Sequence, residues 1–330
     1  MASSRNDILF VVVNAYAASS CASEKWRKAE TIMKNRGIEY HMSRTGAGGN
    51  VLEITFDACM AGYRRLVAAG GDGTVHDVLN GIGAYVEWAE HNGKQVAFSD
   101  FTLGVIPLGS GNDWIKSLGI PKRLPDAIEL LSVGDLRSQD VVRVSVLEVG
   151  NDGSDREISR SYMANIGGIG IDARVCEMVN AKKQQGKRGK ILYVTSLINA
   201  IRNRVPSSAR VICDGETVFD GLFLSMAFGI GKYSGGGMRQ TPEAVLDDGL
   251  LDLTIIPDLP IMRIAREVPR LFTGSFLKVP ELVCSKSKVI TVIPAEGSSL
   301  EPVEVDGEVI GKGAVRFEVL DSMINVIAGR

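Results

Sequence analysis

The run Leu66-Val67-Ala68-Ala69-Gly70-Gly71-Asp72-Gly73-Thr74 sets a carboxylate inside a glycine-rich loop, between an apolar strand-like segment and a helical pattern. Val75, Val78, Leu79 and Ile82 recur at the spacing of one helix face, with Thr74 opening the first turn. Glycines at a helix N-terminus let backbone N–H groups close on an anion, so a nucleotide phosphate is the natural guest. A carboxylate at Asp72 repels that phosphate unless Mg2+ bridges the two, or unless it takes a proton from an attacking hydroxyl. Either role is phosphoryl-transfer chemistry. Asp-Gly is also an ordinary turn dipeptide, found again at 152, 214, 220, 248 and 306, so this loop alone does not decide.

A second strand, Leu103 to Ile106, runs into Pro107-Leu108-Gly109-Ser110-Gly111-Asn112-Asp113 and then into the helical-looking Trp114-Ile115-Lys116-Ser117-Leu118. Two such loops can face one crevice. Farther on, Glu243, Asp247, Asp248 and Asp252 crowd a turn, an oxygen cluster of the type hard cations bind, or else a hairpin with solvated acids. Asp-Gly-Glu occurs twice, at 214–216 and 306–308, and composition does not separate the copies. Chain path would separate them if the chain ended by returning to its first domain, for the later copy would then face the cleft. The earlier copy is expected to be an exposed hairpin.

Taken in order, Gly70-Gly71-Asp72-Gly73-Thr74, Pro107 to Trp114, Gly235-Gly236-Gly237-Met238 and Asp247 to Asp252 resemble the diacylglycerol kinase catalytic-domain family. Bacterial lipid kinases and the sphingosine and ceramide kinases belong to it. With Asn165 to Asp172 and Asp306-Gly307-Glu308, the resemblance covers nearly the whole chain. It implies in-line transfer of the ATP γ-phosphoryl group to the hydroxyl of a lipid such as diacylglycerol, a reaction that needs mainly positioning and charge neutralisation. Glu308 or Asp306 is then the proton acceptor, with Asp72 beside the phosphates. Nucleotide contacts are expected from Asn14, Ala15, Thr45, Gly70, Gly71, Asp72, Gly73, Thr74, Gly109, Ser110, Asn112 and Asp113. A structural Mg2+, separate from the one on ATP, is expected on Asp248 and the main-chain carbonyls of Val245 and Leu250.

The chain departs from the family at Asn14-Ala15-Tyr16-Ala17-Ala18, where the family has Asn-Pro and a glycine three residues after the proline. Ser110 stands for the usual Thr, and Trp114 for the usual Phe. Two other readings stay open. One is a soluble-substrate kinase of the NAD kinase type, which shares Gly-Gly-Asp-Gly; the other is a non-catalytic lipid or nucleotide sensor.

These residues need elements to hold them. Ile8 to Val13, Ile38 to Ser43, Leu66 to Ala69 and Thr102 to Ile106 read as strands, alternating with helices at Lys25 to Asn35, Val51 to Tyr63 and from Thr74. Such alternation implies a Rossmann-like parallel sheet with ligands at the carboxyl ends of its strands, where both loops, Asn14 and Thr45 fall. Beyond residue 139 short β segments dominate, with one helix at Lys190 to Asn203, which suggests an antiparallel β-sandwich. The expected fold is thus α/β plus β, like NAD kinase and diacylglycerol kinase. The resemblance further implies that the final residues return to the first sheet, so residues 1–138 with 317–330 are expected to form the nucleotide domain, and 139–316 the sandwich that takes the lipid.

Composition agrees. The 330 residues carry a formal charge of −2 and are 45% hydrophobic, which provides no basic excess for nucleic acid. Cys21, Cys59, Cys176, Cys213 and Cys284 are odd in number and scattered, as reduced thiols of a cytoplasmic protein are. No stretch approaches the ~20 apolar residues of a membrane span, so a lipid substrate would be met at a membrane surface. Five charges in Lys182-Lys183-Gln184-Gln185-Gly186-Lys187-Arg188-Gly189-Lys190 could hold the protein to anionic lipid, each worth about 1 kcal/mol near the surface; a solvated loop is the alternative. Many two-domain enzymes of this size are homodimers, though no segment marks an interface.

Overall fold

The computed structural model describes residues 5–14, 20–46, 50–149, 155–184, 190–203, 207–298 and 301–329. The chain divides into two compact units, Met1–Val141 with Asp321–Arg330, and Val142–Leu320.

The first unit alternates strand and helix: β1 (Leu9–Val13), α1 (Ser20–Asn35), β2 (Tyr40–Arg44), α2 (Val51–Met60), β3 (Arg65–Gly70), α3 (Asp72–His91), β4 (Thr102–Pro107), α4 (Trp114–Ser117), α5 (Leu124–Val133) and β5 (Asp135–Gln139). Val11 to Val13 and Leu66 to Ala69 are buried throughout, as central strands covered on both faces must be. The sheet runs β2-β1-β3-β4, then the C-terminal strand Ile324–Ala328, then β5. All neighbours are parallel except β5, which pairs antiparallel with the C-terminal strand. Trp26, Ala29 and Met33 of α1 recur at helical spacing and bury against Ile128 and Leu131 of α5 and the sheet residues Val11, Val67 and Ile106. This core fixes the carboxyl ends of β1, β3 and β4, where the candidate residues sit.

Two boundaries differ from the sequence expectation. Phe317 and Val319 pair with Val144 and Val142, so the chain leaves the second unit at residue 320 rather than 316. Helix α3 begins at Asp72, not Thr74, because Gly71 is extended (φ −108°) and serves as the N-cap residue. That shift puts the Asp72 carboxylate in the first helical turn, where the dipole favours it.

The second unit contains β6 (Val142–Val149), β7 (Asp155–Met163), β8 (Ile166–Gly170), α6 (Ile171–Gln184), α7 (Lys190–Arg202), β9 (Ser207–Cys213), β10 (Glu216–Gly229), β11 (Leu251–Pro257), α8 (Ile261–Glu267), α9 (Arg270–Thr273), β12 (Val283–Ser287), β13 (Val289–Pro294), β14 (Pro302–Val305), β15 (Glu308–Lys312) and β16 (Ala314–Val319). All pairings are antiparallel, in the order β15-β14-β8-β10-β9-β13-β16-β6-β7, with β11 joined to β10 and β12 to β11. Strand β10 pairs with β9 in its first half and with β8 and β11 in its second, with an irregularity between Phe223 and Ser225. Phe228 of β10 stacks on Phe317 of β16 with ring centroids 4.1 Å apart, although β9 and β13 separate those strands in the ladder. The sheet therefore folds back on itself, and the two layers enclose a core of Val144, Val211, Met226, Phe228, Val303 and Phe317.

The single expected helix of this unit is joined by α6, α8 and α9, which pack a satellite core around Val175, Val179, Leu197, Ile264, Leu271 and Phe276. Among the described residues, no helix is long and apolar enough to cross a membrane.

Candidate functional site

In the first unit the two glycine-rich loops are stitched into one body. The carbonyl of Gly70 accepts from Leu108 N (2.8 Å) and Gly109 N (3.1 Å). Asp72 Oδ1 accepts from Asp113 N (2.9 Å) and Trp114 N (3.2 Å), the N-terminal end of α4. Asn14, following β1, donates through Nδ2 to Thr74 Oγ1 at 3.2 Å. The backbones touch: a Cβ on Gly109 would lie 2.5 Å from Gly71 Cα, and one on Gly111 would lie 3.1 Å from Asp72 Oδ2. Glycine at 109 is thus required by close approach, not by a turn. Asp72, expected to bridge Mg2+ or take a proton, uses one oxygen to tie the loops together.

The second loop is ordered from within. Asn112 is left-handed (φ 52°) and donates from Nδ2 to Gly109 O at 2.9 Å, while Asp113 pairs with Lys116. Both Asn112 and Asp113 are buried, whereas Ser110 is exposed and so offers its hydroxyl outward. Thr45 is buried just after β2, and its N–H donates to Val13 O at 3.0 Å. Trp114 explains its own departure from Phe: its indole Nε1 donates to Gln139 Oε1 at 3.0 Å, and both residues are buried. Ala15 lies outside the described residues. Sequence reasoning missed Lys25, whose Nζ donates to Leu108 O at 3.1 Å and sets an ammonium against the second loop. The signal was a lysine one residue before the buried Trp26 on α1, which no motif marks.

The two Asp-Gly-Glu copies have the same backbone. Asp214-Gly215 (φ 47° and 93°) and Asp306-Gly307 (φ 53° and 93°) both make left-handed two-residue turns between antiparallel strands. Each aspartate is spent on backbone: Asp214 accepts from Lys288 N and Val289 N at 3.2 and 2.8 Å. Asp306 accepts from Ala164 N, Asn165 N and Ile166 N at 2.8, 2.9 and 3.2 Å. Its carboxylate is a staple between the β14–β15 turn and the β7–β8 junction. Glu308, at the start of β15, is exposed.

What distinguishes the later copy lies behind its turn. Gly307 N donates to Glu304 Oε2 at 2.8 Å, and Gly307 O accepts from Asn180 Nδ2 at 3.0 Å and from the Cys176 thiol at 2.7 Å, both on α6. The peptide before Glu308 and the one after Asp306 are thereby clamped from two sides. Glu304 is buried beside Asp172, which accepts from Gln240 Nε2 at 2.7 Å and from the Ser225 hydroxyl. A Cβ on Gly168 would fall 2.7 Å from Asp172 Cβ and 3.0 Å from Glu304 Oε1, so glycine there makes room for the two acids. Burial pushes the Glu304 carboxyl well above its usual value, and the negative Asp172 pushes it further, against the Gly307 N–H, with Asp306 and Glu308 adding to the rise. Burial also raises Asp172, against its bonds from Ser225 and Gln240.

The folded protein therefore holds protons here that the unfolded chain releases, so this pair stabilises most below the ordinary carboxylate range and loses that contribution as pH rises toward the native value. Glu304→Gln keeps an acceptor for Gly307 N–H and removes the titration. Urea denaturation from about pH 5 to about pH 8 is expected to show a flatter stability profile in the variant and higher stability than wild type at the alkaline end, by roughly 1–2 kcal/mol. A variant profile as steep as wild type places the titration elsewhere.

The acidic turn expected to hold Mg2+ carries Asp248, whose Oδ1 accepts from Leu250 N at 3.1 Å across Gly249 (φ 72°). Lys286 Nζ lies 3.2 Å from Asp252 Oδ2 and 3.8 Å from Asp248 Oδ2, and donates to Glu243 O at 3.1 Å. Burial raises the Asp252 carboxyl, which Lys286 opposes. Among the described residues no three side chains of metal-ligating type converge, so main-chain oxygens would have to complete any site. Asp248 and Asp252 share Lys286, and Glu243 lies close enough to help raise Asp252, so the turn is oxygen-rich and acidic, chemistry of the type a hard cation takes.

Comparison with known proteins bears on the family and the fold. Residues 8–144 match the diacylglycerol kinase catalytic domain, and 166–328 match the YegS C-terminal NAD kinase beta sandwich-like domain. A Xanthomonas euvesicatoria pv. vesicatoria protein named "Probable lipid kinase YegS-like" is 30% identical over 235 residues, covering 71% of this chain and 69% of that one. An Enterobacter protein of the same name is 26% identical over 309 residues, 93% of this chain and 92% of that one. The crystal structure of a diacylglycerol kinase from Bacillus anthracis str. Sterne superposes with a TM-score of 0.68 at 18% identity, over 99% of this chain and 98% of that one, a likeness of fold. With both domain models matched in order and the relatives aligned across them, the chain belongs to the diacylglycerol kinase catalytic-domain family, among its YegS-like lipid kinases.

Proposed function

We propose that the protein transfers the γ-phosphoryl group of ATP to the hydroxyl of a diacylglycerol-like lipid. The observation that carries this reading is the joining of the Gly70–Thr74 and Gly109–Asp113 loops into one backbone cradle at a helix N-terminus. In it, N–H groups at the start of α3, the Ser110 and Thr74 hydroxyls, Asn14 and the Lys25 ammonium meet the phosphates; Asp72 keeps the cradle closed. Glu308 takes the proton of the acceptor hydroxyl as its oxygen bonds to the γ-phosphorus and the bond to the β,γ-bridging oxygen breaks, releasing ADP. Asp306 is assigned to positioning, since three backbone N–H groups already claim its oxygens. The test is incubation with Mg2+ and γ-labelled ATP in mixed micelles of a fractionated lipid extract. Label in the organic phase supports the proposal and its mobility names the acceptor; label on a soluble acceptor supports the NAD-kinase-type reading instead, and no transfer supports a sensor.

A structural Mg2+ would be held by the Asp248 carboxylate and the carbonyls of Val245 and Leu250. When bound it would supply charge compensation to the acidic turn, outside the reaction itself. Saturating Mg2+ without nucleotide is expected to raise the melting temperature, by the several degrees that about 2–3 kcal/mol of ligand linkage gives, and Asp248→Asn is expected to abolish the rise. An equal rise in both proteins removes Asp248 from the site.

A further inference from the structure

The helical segment after β11 presents a surface that the chemistry above does not use. From α8 into α9 the backbone stays right-handed through Val268 (φ −49°, ψ −43°) and Pro269 (φ −60°, ψ −26°). Val268 N bonds to Ile264 O, Leu271 N to Val268 O and Phe272 N to Pro269 O, so residues 261–273 follow one nearly continuous helical course. At about 100° per residue, Ile264, Glu267 and Leu271 form the inward stripe, and all three are buried. On one flank of that stripe stand Ile261, Met262, Pro269 and Phe272. Met262 is 80% exposed, the most exposed large apolar side chain among the described residues, with Phe272 at 47% and Ile261 at 40%.

Arginines occupy the other flank. Arg263, Arg266 and Arg270 all pair with the buried Glu267, and Arg263 also pairs with Glu281 at 2.9 Å. Three arginines against two glutamates leave the flank positive, and the exposed Lys278 lies just beyond it. Glu267 anchors the guanidinium groups while Arg266 and Arg270 keep 71% and 46% of their side chains in solvent. An exposed apolar strip beside a fixed cationic strip is the pattern of a helix lying in a lipid headgroup layer.

We propose that residues 261–273 dock the protein on an anionic bilayer surface, with Ile261, Met262 and Phe272 entering the headgroup layer and Arg266 and Arg270 meeting lipid phosphates. The proposal rests on the lipid-kinase reading and deepens it by naming the surface through which an enzyme with no spanning helix among its described residues would reach a membrane-held substrate. Its charge commits the occupant to anionic lipid: cations near such a surface contribute about fivefold each in partitioning.

The test uses the full chain without ATP, co-sedimented with large vesicles of phosphatidylcholine alone or with 30% phosphatidylglycerol. Wild type is expected to partition at least about tenfold better onto the anionic vesicles. Met262→Asp/Phe272→Asp is expected to lose that binding at an unchanged melting temperature, since both positions are exposed and an acid in the first turn of α8 suits the helix dipole. Val133→Asp, at a 63% exposed apolar position of the first unit, is expected to bind as wild type does. Equal sedimentation of the double variant and wild type overturns the proposal, as does wild-type binding that ignores phosphatidylglycerol. Conversion of a wild-type dimer to monomer by the double variant, seen by light scattering, also overturns it and gives the face to a second copy. Because vesicle binding needs no turnover, its failure is distinct from failure of the kinase assay.

Discussion

Glu308→Gln is expected to lower kcat by about 10²–10⁴-fold, the usual worth of a positioned general base, with the KM for ATP unchanged. The fold should not register the change: Glu308 is exposed at the start of β15, and Gln is isosteric. Glu216→Gln supplies the control, because Asp214-Gly215-Glu216 makes the same left-handed turn in the same unit. That variant is expected to match wild type in kcat and in melting temperature. The comparison separates proton transfer from turn geometry, which a single substitution cannot do. If Glu308→Gln turns over at the wild-type rate, the proton goes elsewhere. Asp306 would be the next group, but Asp306→Asn exchanges an acceptor of three N–H bonds for an amide, and its loss of activity would come with a loss of stability of about 1–3 kcal/mol.

The motifs marked the loops that the fold joins better than they described what each residue does there. Gly70 to Thr74 and Gly109 to Asp113 were legible because glycine after an apolar run has few other uses, and the parallel sheet followed from strand-helix alternation. What each carboxylate does was not legible. Asp72, Asp214 and Asp306 are all followed by glycine, and all three are spent on backbone N–H groups distant in sequence, which no local pattern records. Strand β8 escaped notice for a related reason: Ile166-Gly167-Gly168-Ile169-Gly170 lacks the β-branched alternation of a strand because Asp172 and Glu304 fill the side-chain space at Gly168, Met163, Phe317 and the Glu304 carbonyl that at Gly167, and the Leu224 backbone that at Gly170. Strand β5, mostly exposed and polar, has no apolar signal at all; its place is set by pairing with the C-terminal strand. The helices α6, α8 and α9 bury only part of one face in the satellite core, so their periodicity is diluted by the polar remainder.

Gly109→Ala is expected to weaken ATP binding by at least about tenfold. The new Cβ would stand 2.5 Å from Gly71 Cα, 3.2 Å from Gly71 N and 2.7 Å from Asn112 Oδ1. Two of those atoms are backbone, so no rotamer relieves the clash and the loops must part. Parting them strains the bonds from Leu108 N and Gly109 N to Gly70 O and those from Asp113 N and Trp114 N to Asp72, which together set the spacing of the proposed phosphate donors. Overpacking of this kind costs roughly 1–3 kcal/mol of stability, so the melting temperature should fall by a few degrees while the protein stays folded. Gly46→Ala is the matched control. It follows Thr45 at the end of β2, and a Cβ there meets no atom within 4 Å, so affinity and stability are expected to hold. Titration of a non-hydrolysable ATP analogue into both variants, with their melting curves, decides the matter. Wild-type affinity in Gly109→Ala would mean that the loops bind phosphate independently, and that their joining serves the fold alone.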